Sequence, residues 1–597
     1  MNLATPKKLW KQKQWIPFFM LVVLFSFLWV ATPVAAKEYI TVIDAFQIAL
    51  TGSLDEITTE GYLFLSVQSE YPLSEIYYIS EDTNNVNRIR QAGEKPDFIS
   101  NSVLLTVSDS GTYTIYLRDY FGNEKLHKVS VKNVDGKAPV PQLQYNEQLS
   151  KLVGSQVYNL SVTDEFSEIV DFRFKNGYEE DSSKEQWSAA PSLLHNQTFS
   201  AQTAGLYTFR TEDSLGNVGL TTCYLGGDEF RGVWVSYLEY NSNGYTLEAF
   251  RKEIDDMFTN IAKMNMNAVI VHVRPFGDAM YRSAYYPWSK YSSGTQGKDP
   301  GFDPLAYMVE AAHKRGLEIH AWINPYRITR NTTDIRSLSK DNPARIWLED
   351  ANSSNDRNVL SYGGMLYYNP SKEEVRQLIV NGIKEIVSNY QVDGIHFDDY
   401  FYPSLGNNYA NNFDAPEYRE YVKSQTNRQQ SYLSIADWRR NNVNQLVKNV
   451  YAAVKSIRPD CEFGISPGGF YKLLSSEKQY YVDYKTWMSK EGYIDYICPQ
   501  IYWAEDHATY PYRATLDTWL SQLKTDVKVY VGIAVYKAGT KSEGKEWSQN
   551  ANVLANQIQY ARNTNLVSGF MFFRYDSFQE KSNYSSVKNL LKELSKQ

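Results

Sequence analysis

One short segment of the chain ends in two adjacent acidic residues. Asp393-Gly-Ile-His-Phe-Asp-Asp-Tyr400 places Asp398 and Asp399 directly after an apolar run. Cleavage of a glycosidic bond requires one carboxylic acid that protonates the leaving oxygen and one carboxylate that acts as nucleophile or base. Neighbouring residues of a β-strand point to opposite faces. Asp398 lies two residues after His396, so the two side chains are on the same face of the strand. We therefore expect Asp398 to point inward. We expect Asp399 either to turn into the same cleft or to cap a loop.

The partner carboxylate has several candidates, because acidic residues also follow other apolar segments. Glu505 follows a Tyr-Trp pair, and Asp278 follows a Phe-Gly pair. We rank these two highest, and an alternative role for Asp278 is to orient Arg274 or to bind a sugar hydroxyl. The remaining candidates are Asp506 and Asp576.

Side chains suited to sugar binding follow the same segments. Arg274 could lower the pKa of a neighbouring carboxylate or bind an acidic sugar substituent. Asn324 and Gln500 can donate to and accept from sugar hydroxyls at once. The aromatic candidates for stacking on sugar rings, each of which could instead pack within its loop, are Trp322, Tyr326, Tyr402, Tyr502 and Trp503.

Three histidines permit a second interpretation, a metal-dependent deacetylase or hydrolase. His272, His320 and His396 belong to consecutive predicted strands, as a ligand set would. Side chains of one barrel layer come from alternate strands, so His320 should lie at a different height from the other two. We therefore favour a hydrogen-bonded layer of histidines beneath the carboxylates and expect neither a metal nor a cofactor.

From residue 229 to residue 597, apolar strands alternate with amphipathic helices. Eight strands and eight helices in strict alternation predict a (β/α)8 TIM barrel, which carries its chemistry at the carboxyl ends of its strands. An open doubly wound sheet is the alternative, but its glycine-rich phosphate turn does not follow the first strand. The predicted strands are Arg231–Tyr237, Ala268–Pro275, Leu317–Asn324, Asp393–Asp398, Glu462–Pro467, Ile494–Ile501, Val527–Val535 and Val567–Arg574. The predicted helices are 247–264, 304–315, 371–389, 435–457, 480–490, 513–525, 549–564 and 584–595.

An internal repeat marks the region before the barrel as all-β. The segment from Ser110 to Asn123 recurs from Ala204 to Asn217, and each copy alternates apolar and polar residues before a Gly-Asn turn. The spacing is close to the length of an immunoglobulin-like sandwich, about 100 residues. We therefore predict two such sandwiches, at 38–135 and 136–228, with Tyr113 and Tyr207 in tyrosine-corner positions.

The N-terminus and the composition indicate an exported protein. Residues 1–36 combine four lysines, an apolar stretch and small residues at Ala35-Ala36, which predicts a signal peptide or an uncleaved membrane anchor. The net charge of -7 and the lack of a later basic run argue against nucleic acid as a partner. Three scattered cysteines do not form a disulfide framework, and we expect Cys461 and Cys498 to be buried thiols.

Six segments in order resemble the glycosyl-hydrolase-like 10 family over about residues 230–590. The resemblance implies an exported bacterial barrel enzyme, with Asp278, Asp398 and Asp399 in its site and with a relative that cleaves peptidoglycan strands lacking stem peptides. The segments are Phe230-Arg-Gly-Val-Trp-Val, Val273-Arg-Pro-Phe-Gly-Asp-Ala-Met-Tyr281, Ala321-Trp-Ile-Asn-Pro-Tyr326, Asp393-Gly-Ile-His-Phe-Asp-Asp-Tyr-Phe-Tyr-Pro403, Gly464-Ile-Ser-Pro467 and Pro499-Gln-Ile-Tyr-Trp503.

These observations predict an extracytoplasmic glycoside hydrolase that acts on cell-wall glycan or a related polysaccharide. Asp398 is the first catalytic carboxylate in this hypothesis, and Glu505 or Asp278 is its partner. The alternatives are a non-catalytic carbohydrate-binding barrel and a metal-dependent polysaccharide deacetylase.

Overall fold

A computed structural model describes residues 39–43, 46–51, 57–69, 71–96, 102–541 and 543–596. The predicted export segment, residues 1–36, lies outside the described residues. Within the described ranges, no helix is both long and apolar enough to cross a bilayer. The chain divides into two compact units, of which the first holds residues up to Pro139 together with Asp164–Ile169 and Glu212–Val218, and the second holds the remainder.

The first unit is built from two antiparallel sheets. Its strands are β1 (Tyr39–Ile43), β2 (Phe46–Thr51), β3 (Gly61–Ser69), β4 (Leu73–Ile79), β5 (Ser102–Val107), β6 (Asp109–Asp119) and β7 (Glu124–Asp135), with one helix, α1 (Val86–Ala92). The sheet orders are β1-β2-β3-β5 and β4-β6-β7. Alternate side chains of β3, β5 and β6, such as Leu65, Leu105 and Ile115, form the buried core, as the period of two in the sequence predicts.

Two further three-stranded sheets follow, and most of their residues belong to the second unit. Their strands are β8 (Val140–Tyr145), β9 (Gln156–Thr163), β10 (Ile169–Asn176), β11 (Thr198–Ala201), β12 (Gly205–Asp213) and β13 (Val218–Leu225), with helices α2 (Glu147–Val153) and α3 (Lys184–Trp187). The sheet orders are β11-β9-β8 and β10-β12-β13. Leu206 of β12 belongs to the apolar core that continues into the barrel, and its backbone N–H donates to Asn265 Oδ1 at 2.8 Å.

The rest of the second unit is a closed parallel barrel, which confirms the predicted TIM barrel. The strands are β14 (Phe230–Val235), β15 (Ala268–Arg274), β16 (Glu318–Ile323), β17 (Val359–Tyr362), β18 (Met365–Tyr368), β19 (Gly394–Phe397), β20 (Glu462–Ile465), β21 (Tyr496–Ile497), β22 (Lys528–Ala534) and β23 (Gly569–Phe573). β17 and β18 form a separate hairpin, and the other eight close the barrel in chain order.

The helices follow the predicted alternation with five additions and one marked contraction. They are α4 (Leu247–Lys263), α5 (Lys290–Ser293), α6 (Pro304–His313), α7 (Pro343–Glu349), α8 (Glu373–Asn389), α9 (Ala415–Asn427), α10 (Ile435–Ile457), α11 (Tyr471–Leu474), α12 (Tyr484–Trp487), α13 (Tyr512–Leu520), α14 (Glu546–Gln549), α15 (Val553–Asn563) and α16 (Tyr584–Leu594). The additions are α5, α7, α9, α11 and α14. The predicted helix 480–490 is wrong in extent, because Tyr480 and Tyr481 have φ values of 63° and 52° and cannot continue a right-handed helix.

Aromatic side chains and histidines fill the barrel interior. The Tyr496 hydroxyl lies 2.9 Å from Nδ1 of both His320 and His396. Two glycines make room for this arrangement: a Cβ at Gly464 would lie 2.1 Å from the Tyr496 ring, and one at Gly394 would lie 2.4 Å from His320 Nδ1. The predicted buried thiols, Cys461 and Cys498, are confirmed.

Candidate active site

Asp398 and Asp399 lie at the carboxyl end of β19, where the parallel strands open. Asp398 is 7% exposed, and its Oδ1 accepts the backbone N–H of Asp399 at 2.8 Å and Gln500 Nε2–H at 3.1 Å. Gln500 follows β21 and also donates to the Ser466 carbonyl at 3.0 Å, which holds its amide in place. The structure therefore brings together two predicted site residues from different strands, Asp398 and Gln500.

The two aspartates also interact with each other, because their side chains lie within hydrogen-bonding reach. Burial raises the pKa of Asp398, and hydrogen bonds from Asp399 and Gln500 oppose that rise. Burial and the negative charge of Asp398 together hold the pKa of Asp399 well above its ordinary range. Two carboxyl groups in such contact cannot both ionise readily, so the pair retains a proton.

Arg327 supplies positive charge to this pair, and the sequence analysis did not identify it. The guanidinium is 8% exposed, and its charge lowers the pKa of both Asp398 and Asp399. It forms no ion pair within 4.0 Å in the described part of the chain; instead it lies 4.3 Å from the centroid of the Tyr400 ring. Arg327 can be found from the sequence by its position, because it lies three residues after Asn324 in the same strand-end loop.

Tyr400 and Tyr502 provide aromatic surface beside the pair. Tyr400 is 43% exposed and carries Arg327 over its ring. Burial raises the pKa of Tyr502, and the charges of Asp398 and Asp399 add to that effect, so the Tyr502 side chain is close to both. Of the predicted stacking residues, Tyr502 is the one that the geometry associates with the carboxylates.

Trp322 and Asn324, by contrast, are packed inside the barrel. Trp322 is 4% exposed and stacks on His272 with ring centroids 3.5 Å apart. Asn324 is fully buried, and its Nδ2 donates to the Pro275 carbonyl at 3.2 Å. Both lie at predicted strand ends, but they support the lumen and present little surface to a polysaccharide.

Asp278 and Arg274 lie in a buried pocket at the end of β15. Asp278 is 3% exposed, its Oδ2 accepts Gln296 Nε2–H at 2.8 Å, and burial raises its pKa to about 6. Arg274 is 1% exposed, and its guanidinium lies 4.4 Å from the Tyr286 ring centroid. No described hydrogen bond or ion pair joins either residue to Asp398.

Glu505 faces the start of a helix. Its side chain is 46% exposed, and Oε2 accepts the backbone N–H of Arg513, at the start of α13, at 3.0 Å. Asp506 likewise accepts backbone N–H groups of Lys545 and Glu546 at 2.9 Å and 3.1 Å. Their carboxylates therefore cap loops and helices, and the structure does not bring either one to the Asp398–Asp399 pair.

The remaining predicted aromatic residues are engaged in other contacts. Tyr326 is fully buried, and Tyr402 donates from its hydroxyl to Asp414 Oδ2 at 2.7 Å within a buried cluster. Trp503 stacks on Tyr510 with ring centroids 4.8 Å apart.

Glu239 is a further rim carboxylate that the sequence analysis missed. Its two oxygens accept the backbone N–H groups of Ser236 and Asp576, each at 2.6 Å. Burial raises its pKa to about 7, and the nearby Asp576 charge adds to the rise. Glu239 lies four residues beyond the end of β14, so a prediction limited to strand ends does not include it.

The three histidines lie at two heights, as predicted. Trp322 is in register with both His272 and His396, whereas His320 pairs with Gly394 lower in the barrel. His396 Nε2 accepts the indole N–H of a lumen tryptophan at 3.3 Å. In the ranges that the structure describes, the histidines do not form a metal-binding set. Burial lowers the pKa of His272 and His396 well below the ordinary value, so both rings are neutral.

A cavity of about 580 Å³ opens at the opposite, amino-terminal end of the strands. Its lining includes Glu318, Asp393, Glu462 and Lys528, which lie at or next to strand starts. Barrel enzymes carry their chemistry at the other end, so this cavity is not the candidate active site.

Comparisons with known proteins identify the family of this chain. Residues 229–549 match the family model described as Glycosyl hydrolase-like 10. The chain belongs to this family. It is 40% identical over 365 residues to Glycosyl hydrolase YngK of Bacillus subtilis, covering 58% of this chain and 68% of that protein. It is 34% identical over 395 residues to Glycosyl hydrolase DigH of Escherichia coli K12, covering 60% of this chain and 86% of that protein.

Among solved structures, the chain is similar to the glycoside hydrolase domain of PgaB from Bordetella bronchiseptica. The TM-score is 0.44 at 12% identity, covering 62% of this chain and 99% of that one. The family and the named relatives show that the protein is a glycoside hydrolase, which confirms both the resemblance and the predicted reaction class.

Proposed function

We propose that this glycoside hydrolase cleaves the glycan strands of the bacterial cell wall, with Asp399 as the proton donor and Asp398 as the anionic carboxylate. The observation that carries the proposal is the proton-sharing pair at the end of β19, in which Asp398 is buried and Asp399 is half-buried. A general acid works best when its pKa lies near or above the operating pH, so that the proton is present when the leaving group needs it.

The environment of the pair assigns a different task to each carboxyl group. Asp398 accepts two N–H donors, from Asp399 and Gln500, and such bonds favour its charged form. Asp399 carries the raised pKa and keeps its proton. When a glycosidic oxygen takes that proton, the negative charge of Asp398 stabilises the positive charge that develops on the sugar ring.

The short separation of the pair also bears on the stereochemical outcome. Inverting glycosidases keep their two carboxyl groups about 6.5–9.5 Å apart to leave room for a water molecule. Asp398 and Asp399 lie within hydrogen-bonding reach of each other, so the pair by itself has neither this separation nor the about 5–5.5 Å of retaining enzymes.

The charge of Arg327 favours a substrate glycan that carries free carboxylates. It is a cation at the mouth of the barrel without a carboxylate partner within 4.0 Å in the described ranges. A muramic acid residue that has lost its stem peptide exposes a lactyl carboxylate, which an arginine binds well. We therefore propose peptide-free peptidoglycan as the preferred substrate.

We also propose that the N-terminal modules are immunoglobulin-like spacers that hold an exported barrel at the cell envelope. The Tyr113 hydroxyl accepts the backbone N–H of Asp109 at 3.1 Å, and the Tyr207 hydroxyl donates to the Thr203 carbonyl at 2.8 Å. A tyrosine hydroxyl bonded to backbone a few residues upstream is typical of the tyrosine corner of immunoglobulin-like domains. The export signal predicted in residues 1–36 supports the location.

Purified protein incubated with peptide-free and peptide-bearing peptidoglycan, with products identified by mass spectrometry, tests the substrate. We expect glycan fragments from the peptide-free strands at a rate at least tenfold above that from the peptide-bearing strands. Equal rates would contradict the role of the free carboxylate. Tight binding to both polymers without any fragments would instead favour a carbohydrate-binding barrel.

A further inference from the structure

Three aspartates that the enzymatic site does not use converge in the first compact unit. Asp135 ends β7, Asp164 follows β9, and Asp213 ends β12. One carboxylate oxygen from each lies within 4.8 Å of the others. Loops that are far apart in the sequence therefore place three negative charges at one point.

One oxygen of this cluster is buried without a hydrogen-bond partner. Asp135 is 3% exposed, and its Oδ2 accepts no hydrogen bond from the residues that the structure describes. Asp213 is 1% exposed. A buried carboxylate oxygen that no donor satisfies is costly, and two further carboxylates nearby add to that cost.

The protein supplies no cation to this cluster. Within the described ranges, no lysine, arginine or histidine lies within 4.0 Å of any of the three carboxylates. Lys137, two residues after Asp135, is paired with Asp109 at 2.5 Å. The charge at this point is therefore left for something outside the chain to balance.

Backbone and side-chain donors fix the cluster from the outside. Asp213 Oδ2 accepts Asn217 Nδ2–H at 2.8 Å and the Ser167 hydroxyl at 2.9 Å, and Asp164 Oδ1 accepts the Ser167 backbone N–H at 3.1 Å. Asn217 Nδ2 also donates to the Asp135 carbonyl at 2.9 Å. The ligand atoms are thus positioned in advance, as a binding site requires.

The first copy of the internal repeat shows that turn formation alone does not explain the cluster. Asp119, at the position that corresponds to Asp213, accepts the backbone N–H of Asn123 at 3.0 Å and Asn123 Nδ2–H at 2.8 Å. Asp213 makes the same two bonds with Asn217, at 2.8 Å each. Among the described residues, Asp119 belongs to no group of converging carboxylates. The turn is therefore complete without neighbours such as Asp135 and Asp164.

We propose that Asp135, Asp164 and Asp213 bind a calcium ion. Calcium takes six to eight oxygen ligands at about 2.3–2.6 Å, so oxygens on opposite sides of one ion are about 5 Å apart, which fits a cluster of this span. Magnesium requires shorter distances of about 2.0–2.1 Å in a strict octahedron and gives up its water reluctantly. Three carboxylates from three separate segments form an all-oxygen ligand set of the kind that suits calcium.

Calorimetric titration of the chelator-stripped full chain with calcium chloride tests the site. We expect one calcium per chain, with affinity at least tenfold weaker in Asp135→Asn and in Asp164→Asn. Asp119→Asn is the matched control, because it changes the equivalent turn without touching the cluster, and it should bind calcium as the parent does. Absence of binding up to 10 mM calcium, a concentration well above the about 10⁻³ M dissociation constants of weak extracellular calcium sites, would overturn the proposal.

Unfolding by urea separates a metal site from a merely structural cluster. Calcium should raise the unfolding midpoint of the parent and of Asp119→Asn but leave that of Asp135→Asn unchanged. Without calcium, Asp135→Asn should be at least as stable as the parent, because the substitution removes a repelled charge. Equal stabilisation of Asp135→Asn by calcium, or equal binding of magnesium chloride in place of calcium, would overturn the assignment.

Discussion

Carboxylates lie close together in two regions of this protein, and the groups that offset their mutual repulsion differ between the two. At the end of β19, Asp398 and Asp399 have two N–H donors on one oxygen and the positive charge of Arg327 nearby. At the end of β7, Asp135 has a carboxylate oxygen without a donor, and no protein cation lies within 4.0 Å in the described ranges.

The difference explains why one cluster is suited to proton transfer and the other to metal binding. A pair of touching carboxyl groups relieves repulsion by keeping one proton, and a proton held near neutral pH is what a general acid needs. Three carboxylates that surround a point, with an unsatisfied oxygen among them, are better neutralised by a cation.

Replacement of the proposed acid should have the largest effect. Asp399→Asn cannot donate a proton, so we expect the rate of glycan cleavage to fall by about 10²–10⁴-fold, the usual contribution of general acid catalysis. Reducing-end release measures the rate, and circular dichroism checks that the fold is retained. A variant that keeps a tenth or more of the parent activity would remove Asp399 from the mechanism.

Arg327→Gln should lower activity less and shift its pH dependence. The proposed active form has Asp399 protonated, so activity falls as pH rises through the pKa of Asp399. Arg327 lowers that pKa, and its removal should raise it, so the alkaline limb of the profile should move to higher pH. Arg327→Lys keeps the charge and should leave the limb in place. A shift to lower pH in Arg327→Gln would contradict the assignment.

Removal of metal should affect only the second of the two clusters. With a chelator present, we expect glycan cleavage to stay within about twofold of its original rate, because the reaction uses carboxyl groups alone. The melting temperature of the first unit should fall by about 5 °C, since it loses a bound ligand. Calorimetric melting and an activity assay on the same sample measure both. Loss of glycan cleavage would place a metal in the barrel.

Glu505→Gln should have the smallest effect and serves as a control for Asp399→Asn. Its carboxylate accepts a backbone N–H at the start of α13, so we expect a loss of about 0.5–1 kcal/mol in the free energy of unfolding. Reducing-end release should remain within about twofold of the parent. A hundredfold loss would show that Glu505 moves to the pair when the substrate binds.

Much of the fold could be predicted because it depends on local periodicity. The eight strands of the barrel follow runs of apolar residues, and long helices such as α4 and α10 follow amphipathic patterns close to their observed bounds. The predicted helix 480–490 failed because its sequence is compatible with a helix, whereas the left-handed backbone at Tyr480 and Tyr481 depends on the surrounding packing.

The candidate site was predictable only in part. Strand alternation identified Asp398 correctly as a buried carboxylate, and the strand-end rule selected Gln500, which the structure places beside Asp398. The same rule also selected Glu505 and Tyr402, whose side chains point to a helix start and to Asp414. A rule about strand ends finds residues near the mouth of a barrel, but it does not give the direction of a side chain on a loop.

The sequence by itself therefore determined the barrel, the reaction class and the acidic pair, because these follow from alternating patterns and from the identity of adjacent residues. Tertiary structure alone decided that Arg327 sets the charge around the pair, and that Asp135, Asp164 and Asp213 meet at one point. The physical reason is that Coulomb interaction and desolvation depend on distance and burial in space, and residues far apart in the chain carry no local pattern that reveals either.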